Sequence, residues 1–225
     1  MPTELLIGVV DSGYAPEHAA QVVASRRFQL VADGIAKAPA QADALGHGSA
    51  VCAAILQAVP TVRLCLAQVF DARGVSSAAQ IAAALDWLGE QGVRLINLSL
   101  GLRDDRAALR EAVAARVAAG TLLCASSPAQ GAAVFPAAYP GVLRVTGDAR
   151  CAPEQWSWLA TPQADFAAAV NGAQPGQAGA SLGCASFCGH LAALLEQCPQ
   201  SSNAELLSLM RERAHYRGAE RRSRP

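Results

Sequence analysis

The chain has 225 residues, 52% of them apolar and 16% charged, and its formal net charge is zero. That length can bury one sizeable core, and the high hydrophobicity with no net charge excludes a disordered chain. The neutral balance also gives no general attraction to nucleic acid or to an anionic membrane.

The first eleven residues hold an apolar run, Glu4–Asp11, that reads as a buried parallel strand ending in Asp-Ser-Gly. No basic segment followed by an apolar stretch precedes it, so the expected location is the cytoplasm. Residues 14–45 are weakly patterned and read as loop. A buried helix is expected from His47 to Val59, stopped by Pro60, and a strand over Val62–Phe70. Ser76–Gln91 reads as an amphipathic helix capped by Ser76 or Ser77 and closed by Gly92.

Arg94–Leu100 reads as a strand and Asp104–Ala119 as a helix that opens with two acids. Strands are expected at Thr121–Ala125, Val142–Thr146 and Asp165–Val170. A glycine-rich approach then leads into a helix from Ser181 to about Gln197, and Asn203–Arg213 reads as a last helix. Phe166–Leu195 lacks any charged residue, but its glycines and Pro175 exclude a membrane-spanning helix. Strands alternating with helices predict an α/β fold with a mostly parallel central sheet and helices on both faces. One domain is expected over residues 1–213, with a basic, solvated tail over 214–225. The seven cysteines contain no Cys-x-x-Cys pair, and they read as reduced, core-packing thiols rather than disulfide or zinc ligands. No metal and no cofactor is expected.

In a parallel α/β sheet, sites assemble where strands end and the following helices begin. Asp11 closes the first strand, His47 opens a helix in Gly-His-Gly-Ser, and Ser181 opens another in Gly-Ala-Ser-Leu-Gly. The residue types suit one chemistry. A serine hydroxyl attacks a carbonyl only when an imidazole takes its proton, and a carboxylate must orient that imidazole and offset its charge. The backbone amides at the head of the Ser181 helix suit a developing oxyanion. His18, His190 and His215 lack such a context and read as structural or surface residues.

These fragments resemble the subtilases, the subtilisin-like serine proteases. Val-Val-Asp-Ser-Gly resembles the family's Asp motif, Gly-His-Gly-Ser-Ala-Val-Cys-Ala-Ala its His motif, and Gly-Ala-Ser-Leu-Gly-Cys-Ala-Ser-Phe-Cys-Gly its Ser motif. Ile-Asn-Leu-Ser-Leu-Gly is similar to its substrate-pairing strand. The resemblance spans residues 4–197, and the order Asp, His, Ser is that of subtilisin. It implies a subtilisin-like three-layer fold, an Asp11–His47–Ser181 triad, and a peptide bound as an added strand along Ser99, Leu100 and Gly101.

The sequence also departs from the family. The oxyanion hole should combine the Ser181 backbone amide with an Asn side chain, yet Ala129 stands at the Asn position, beside Gln130. Three outcomes are then open: Gln130 reaches the site by a local shift, Ser126, Ser127 or a water substitutes, or no donor replaces it and the enzyme is slow. A slow but competent enzyme is the expectation. Pro128 replaces a pocket-wall glycine near Ser126, which predicts small side chains before the cut. Ala180 and Ala185 replace the usual Thr and Pro of the Ser motif. Neither a propeptide nor a calcium loop is read in the sequence. The resemblance therefore points to compact maturation proteases that take leader peptides off ribosomally made, modified precursors, such as the one acting on the small subunit of quinohaemoprotein amine dehydrogenase. The expected partner is a peptide or precursor protein, with neither nucleic acid nor membrane, and the chain is expected to be a monomer. The alternative is a catalytically silent, peptide-binding scaffold of the same fold.

Overall fold

A computed structural model describes residues 4–170 and 179–220. Its centre is a mostly parallel sheet. Strand β1 (Leu6–Asp11) lies between β4 (Arg63–Gln68) and β5 (Leu95–Leu98), and all three run the same way. Next to β5 come β6 (Leu122–Ser126), β7 (Val142–Asp148) and β9 (Phe166–Ala169), again parallel. These strands are buried on both faces, which is why they read as continuous apolar runs rather than alternating ones.

The core is split by the sheet into two. On one side Val9, Leu64, Leu95 and Cys124 pack with Val51, Cys52 and Ile55 of helix α1 (His47–Ala58), with Cys184, Phe187 and Leu191 of α4 (Ala180–Gln197), and with Leu206 of α5 (Asn203–Glu212). On the other, Val10, Cys65, Ile96 and Leu123 pack with Ile81 and Leu85 of α2 (Ala78–Glu90) and Leu109 and Val113 of α3 (Ala107–Ala118). Neighbouring strand residues thus face opposite layers, and the expected three-layer α/β architecture is present. All seven cysteines are free thiols, and Cys52, Cys65, Cys124, Cys184 and Cys188 are buried in these cores. No helix among the described residues is long and apolar enough to cross a membrane.

Three expectations need correction. The segment read as loop over 14–45 carries a short 3₁₀ turn and a hairpin, β2 (Val22–Val31) antiparallel to β3 (Gly34–Ala38), with β2 added to β4. Only Phe28 of β2 is fully buried, so little hydrophobic periodicity marks it. Second, Asp104 and Asp105 do not begin α3. Arg106 is its N-cap, while Asp105 accepts the Tyr139 hydroxyl at 2.8 Å. Third, the tail expected from residue 214 returns to the sheet. Strand β10 (Tyr216–Arg217) pairs in parallel with β8 (Trp156–Trp158), itself antiparallel to β9 and unmarked in the sequence reading. Arg150 stacks on Tyr216 and Arg217 on Trp158, so the segment is held by cation–π contacts rather than lying only in solvent. The glycine-rich approach at 171–178 and the last residues, 221–225, lie outside the described residues.

Two glycines set how closely helices approach the sheet. A Cβ on Gly48 would lie 2.2 Å from the Gly13 carbonyl oxygen, and one on Gly183 would lie 2.4 Å from the Thr146 carbonyl oxygen. Neither space can hold a methyl group. These contacts seat the starts of α1 and α4, the two helices that carry His47 and Ser181.

Candidate active site

Because β1, β4 and β5 are parallel, their ends open on the same edge of the sheet, and the site lies there. Asp11 is the last residue of β1 and is fully buried. Its Oδ1 lies 2.7 Å from Nδ1 of His47 and accepts the Ser12 amide at 2.7 Å. Oδ2 of Asp11 is buried with no hydrogen-bond partner among the described residues. All of the carboxylate's directed interactions therefore fall on one oxygen, the one facing the imidazole.

His47 is the first residue of α1, whose N-cap, Gly46, takes a left-handed φ of 71°. The turn aims the ring across to Asp11 while its side chain keeps 40% exposure. A proton on Nδ1, bonded to the carboxylate, leaves Nε2 as the free acceptor. The Asp11 hydrogen bond raises the imidazole pKa above its ordinary value; burial opposes this, and the charges of Asp11 and Asp43 add to it.

Ser181 stands in the first turn of α4, where backbone amides lack intrahelical partners. Its hydroxyl donates to the Ser99 carbonyl at 3.2 Å, and the Ser99 hydroxyl donates back to the Ser181 carbonyl at 2.9 Å. Asn97 Nδ2 donates to Ser99 Oγ at 2.9 Å. No hydrogen bond joins Ser181 to His47 among the described residues. The Asp11 carboxylate and the His47 imidazole are thus directly bonded, and the Ser181 hydroxyl is tied to the neighbouring strand end.

Ser99, Leu100 and Gly101 follow β5. Ser99 and Leu100 are buried, whereas Gly101 is exposed and its backbone has no hydrogen-bond partner among the described residues. Beside them a cavity of about 260 Å³ is lined by Ser12, Leu45, His47, Phe70, Gly74 and Ser99. Across the sheet end, Ala129 and Gln130 border a second cavity of about 600 Å³ with Thr146, Gly147 and Val170, and the Val170 carbonyl accepts the Gly179 amide ahead of α4. The hydroxyl protons of Ser126 and Ser127 are engaged, by the carbonyls of Leu100 at 3.2 Å and Gln163 at 2.6 Å. Neither is a ready oxyanion donor. Pro128 follows directly after these two buried serines.

The comparisons with known proteins bear on this arrangement. The model of the subtilase family matches residues 3–148, a span that includes Asp11 and His47 and ends before Ser181. The chain belongs to the subtilase family. Subtilisin Savinase from Lederbergia lenta is 33% identical over 118 residues, 48% of this chain and 44% of the relative. Subtilisin DY from Bacillus licheniformis is 27% identical over 155 residues, 62% of this chain and 54% of the relative. The chain thus spans about half the length of these relatives. Among solved structures, a psychrophilic protease aligns with a TM-score of 0.71 at 19% identity, over 94% of this chain and 83% of its own. A lanthipeptide protease aligns at 0.67 and 17% identity, over 92% and 80%. The fold is therefore subtilisin-like along nearly the whole described chain.

Several residues around the site carry no weight in the sequence reading. Ser12, Asp43, Ser49 and Gln68 link the ends of β1 and β4 to the start of α1, and Gln68 Nε2 donates to the Ser12 carbonyl at 2.7 Å. The Asp-x-x-Gly spacing of Asp43 and Gly46, which favours side-chain capping of a turn, is the signal that finds the second of them.

Proposed function

We propose that this subtilase is a serine endopeptidase in which Ser181 is the nucleophile, His47 the general base and Asp11 the orienting carboxylate. The observation that carries the reading is the 2.7 Å bond from a fully buried Asp11 to His47 Nδ1. It fixes the tautomer whose Nε2 can take a proton. In the reaction the Ser181 hydroxyl turns from the Ser99 carbonyl to His47, attacks the peptide carbonyl as its proton passes to Nε2, and the imidazolium then protonates the leaving amine. Water repeats the sequence to release the acyl group. The peptide pairs with Ser99, Leu100 and Gly101 as an added strand. The Ser181 amide and a group at Ala129 or Gln130 face the oxyanion, and Ser126 with Pro128 narrows the pocket for the residue before the cut.

For substrate, the reading is removal of a leader from a ribosomally made, modified precursor by a monomer in the cytoplasm. A lanthipeptide protease with the same fold supports it. A fluorophosphonate probe tests the chemistry: wild type should be labelled and Ser181→Ala should not. Incubation with candidate precursors, read by intact mass, tests the substrate.

A second reading, a silent peptide-binding scaffold, is favoured by two observations. The Ser181 hydroxyl is bonded to Ser99, and the Ala129 side chain has no donor to offer. A folded wild type that takes no probe would support it.

A further inference from the structure

The most heavily bonded side chain beside the site is neither Asp11 nor His47 but Asp43. Its Oδ1 accepts from Ser12 Oγ at 2.8 Å, from the Leu45 amide at 3.1 Å and from the Gly46 amide at 3.0 Å. Its Oδ2 accepts from the Ser49 amide at 2.8 Å and the Ser49 hydroxyl at 2.6 Å. Capping a turn requires only one or two such bonds. These five run in two directions, towards the first turn of α1 and towards the end of β1.

The second direction carries the argument. Ser12 Oγ lies between two carboxylates, 2.8 Å from Asp43 Oδ1 and 3.2 Å from Asp11 Oδ1, and it also accepts the Gly48 amide at 2.9 Å. A hydroxyl has a single hydrogen. The shorter contact assigns that hydrogen to Asp43. Asp11 Oδ1 is then left with the Ser12 amide and the His47 ring, each at 2.7 Å.

We propose that Asp43 is a positioning residue of this site, which clamps the helix end carrying His47 and draws the Ser12 hydroxyl proton away from Asp11, so that the Asp11 carboxylate is not diverted from the imidazole. A carboxylate with fewer competing donors is a stronger partner for the ring. The charged groups facing His47 are Asp11 from β1 and Asp43 from the loop before α1. Burial works to raise the pKa of Asp43, but hydrogen bonds from Ser49, Ser12 and Gly46 together hold it below its ordinary value. It is thus a carboxylate whenever His47 titrates.

This inference rests on reading His47 as the base, and its test does not require turnover. The side-chain resonances of His47, assigned by their loss in His47→Gln, are followed through a pH titration by NMR. Asp43→Asn should lower the His47 midpoint by about half a pH unit or more, because the Asp43 charge no longer stabilises the imidazolium and Ser12 turns to Asp11. Ser12→Ala should hold the midpoint or raise it. The double variant Ser12→Ala/Asp43→Asn should recover part of the shift, since Ser12 can no longer turn to Asp11. A midpoint unmoved in Asp43→Asn overturns the inference, and so does a double variant as low as the single one, the result a purely structural clamp would give. Should Asp43→Asn not fold, a fall of the midpoint in Ser12→Ala overturns it alone. Fluorophosphonate labelling of wild type separates the two layers. An unlabelled wild type removes the protease reading, while a labelled one with an unmoved midpoint removes only the role of Asp43.

Discussion

At the scale of single residues, the Asp11–His47 bond has a pH consequence. In the proposed mechanism His47 acts as base only when neutral, and its pKa is raised by Asp11. The acid limb of kcat/KM, or of the labelling rate, should therefore have its midpoint above the ordinary histidine value of about 6.5. In Asp11→Asn the tautomer is no longer held, and turnover should fall by about 10⁴-fold. The reverse experiment concerns Ala129. If the oxyanion lacks a side-chain donor, Ala129→Asn should raise kcat by about 10²–10³-fold with little change in KM. No gain would mean that another group already serves the oxyanion. Asp11 and His47 were legible in the sequence because each sits in a short motif at an element's end, and the structure brings the two together. The support around them was not. Ser12, Asp43 and Gln68 act through bonds between segments distant in sequence, for instance Gln68 to Ser12 across 56 positions, and no local pattern records such contacts.

At the scale of elements, legibility followed burial. Strands β1, β4, β5 and β6 are buried on both faces and show as apolar runs. Helices α2 and α5 are N-capped by Ser77 and Ser202, each forming a capping box with Gln80 or Glu205, and both starts were legible within two residues. The β2–β3 hairpin was missed because β2 lies near the sheet's edge with mixed exposure, although Asp33-Gly34 offered a turn signal. Strands β8 and β10 were missed because two or three residues cannot establish a period. The close packing of α4 on β7 gives a stability prediction. Gly183→Ala places a methyl 2.4 Å from the Thr146 carbonyl, and the resulting shift of α4 should cost about 1–3 kcal/mol, read as a lower urea midpoint. Because α4 carries Ser181, labelling should fall as well, even in the fraction that remains folded.

At the scale of the molecule, the sheet has two ends of different character. Its order runs from β10 and β8 at one end to β2 and β3 at the other. The β10 end is short and carries Arg217 stacked on Trp158. The β3 end is longer, and the hairpin beside it exposes Leu30 at 63%, Val31 at 46% and Val23 at 45%. Unpaired strand edges next to apolar side chains invite another chain to pair. Concentrated protein should therefore self-associate first at this hairpin, and Leu30→Lys should reduce the association seen by light scattering while leaving fluorophosphonate labelling unchanged.

The mutual bond between Ser99 and Ser181 places a side chain of the protein on the edge that a paired peptide would use. In the proposed reaction the Ser99 carbonyl, which holds the Ser181 hydroxyl, is also the group that would receive an incoming chain's amide, so a guest docking in strand register would displace the tether. On that proposal, molecules too small or too irregular to lie along that edge would leave the Ser181 hydroxyl bonded to Ser99. Selectivity of this kind needs no deep pocket, only a guest with a backbone long enough to take the serine's place.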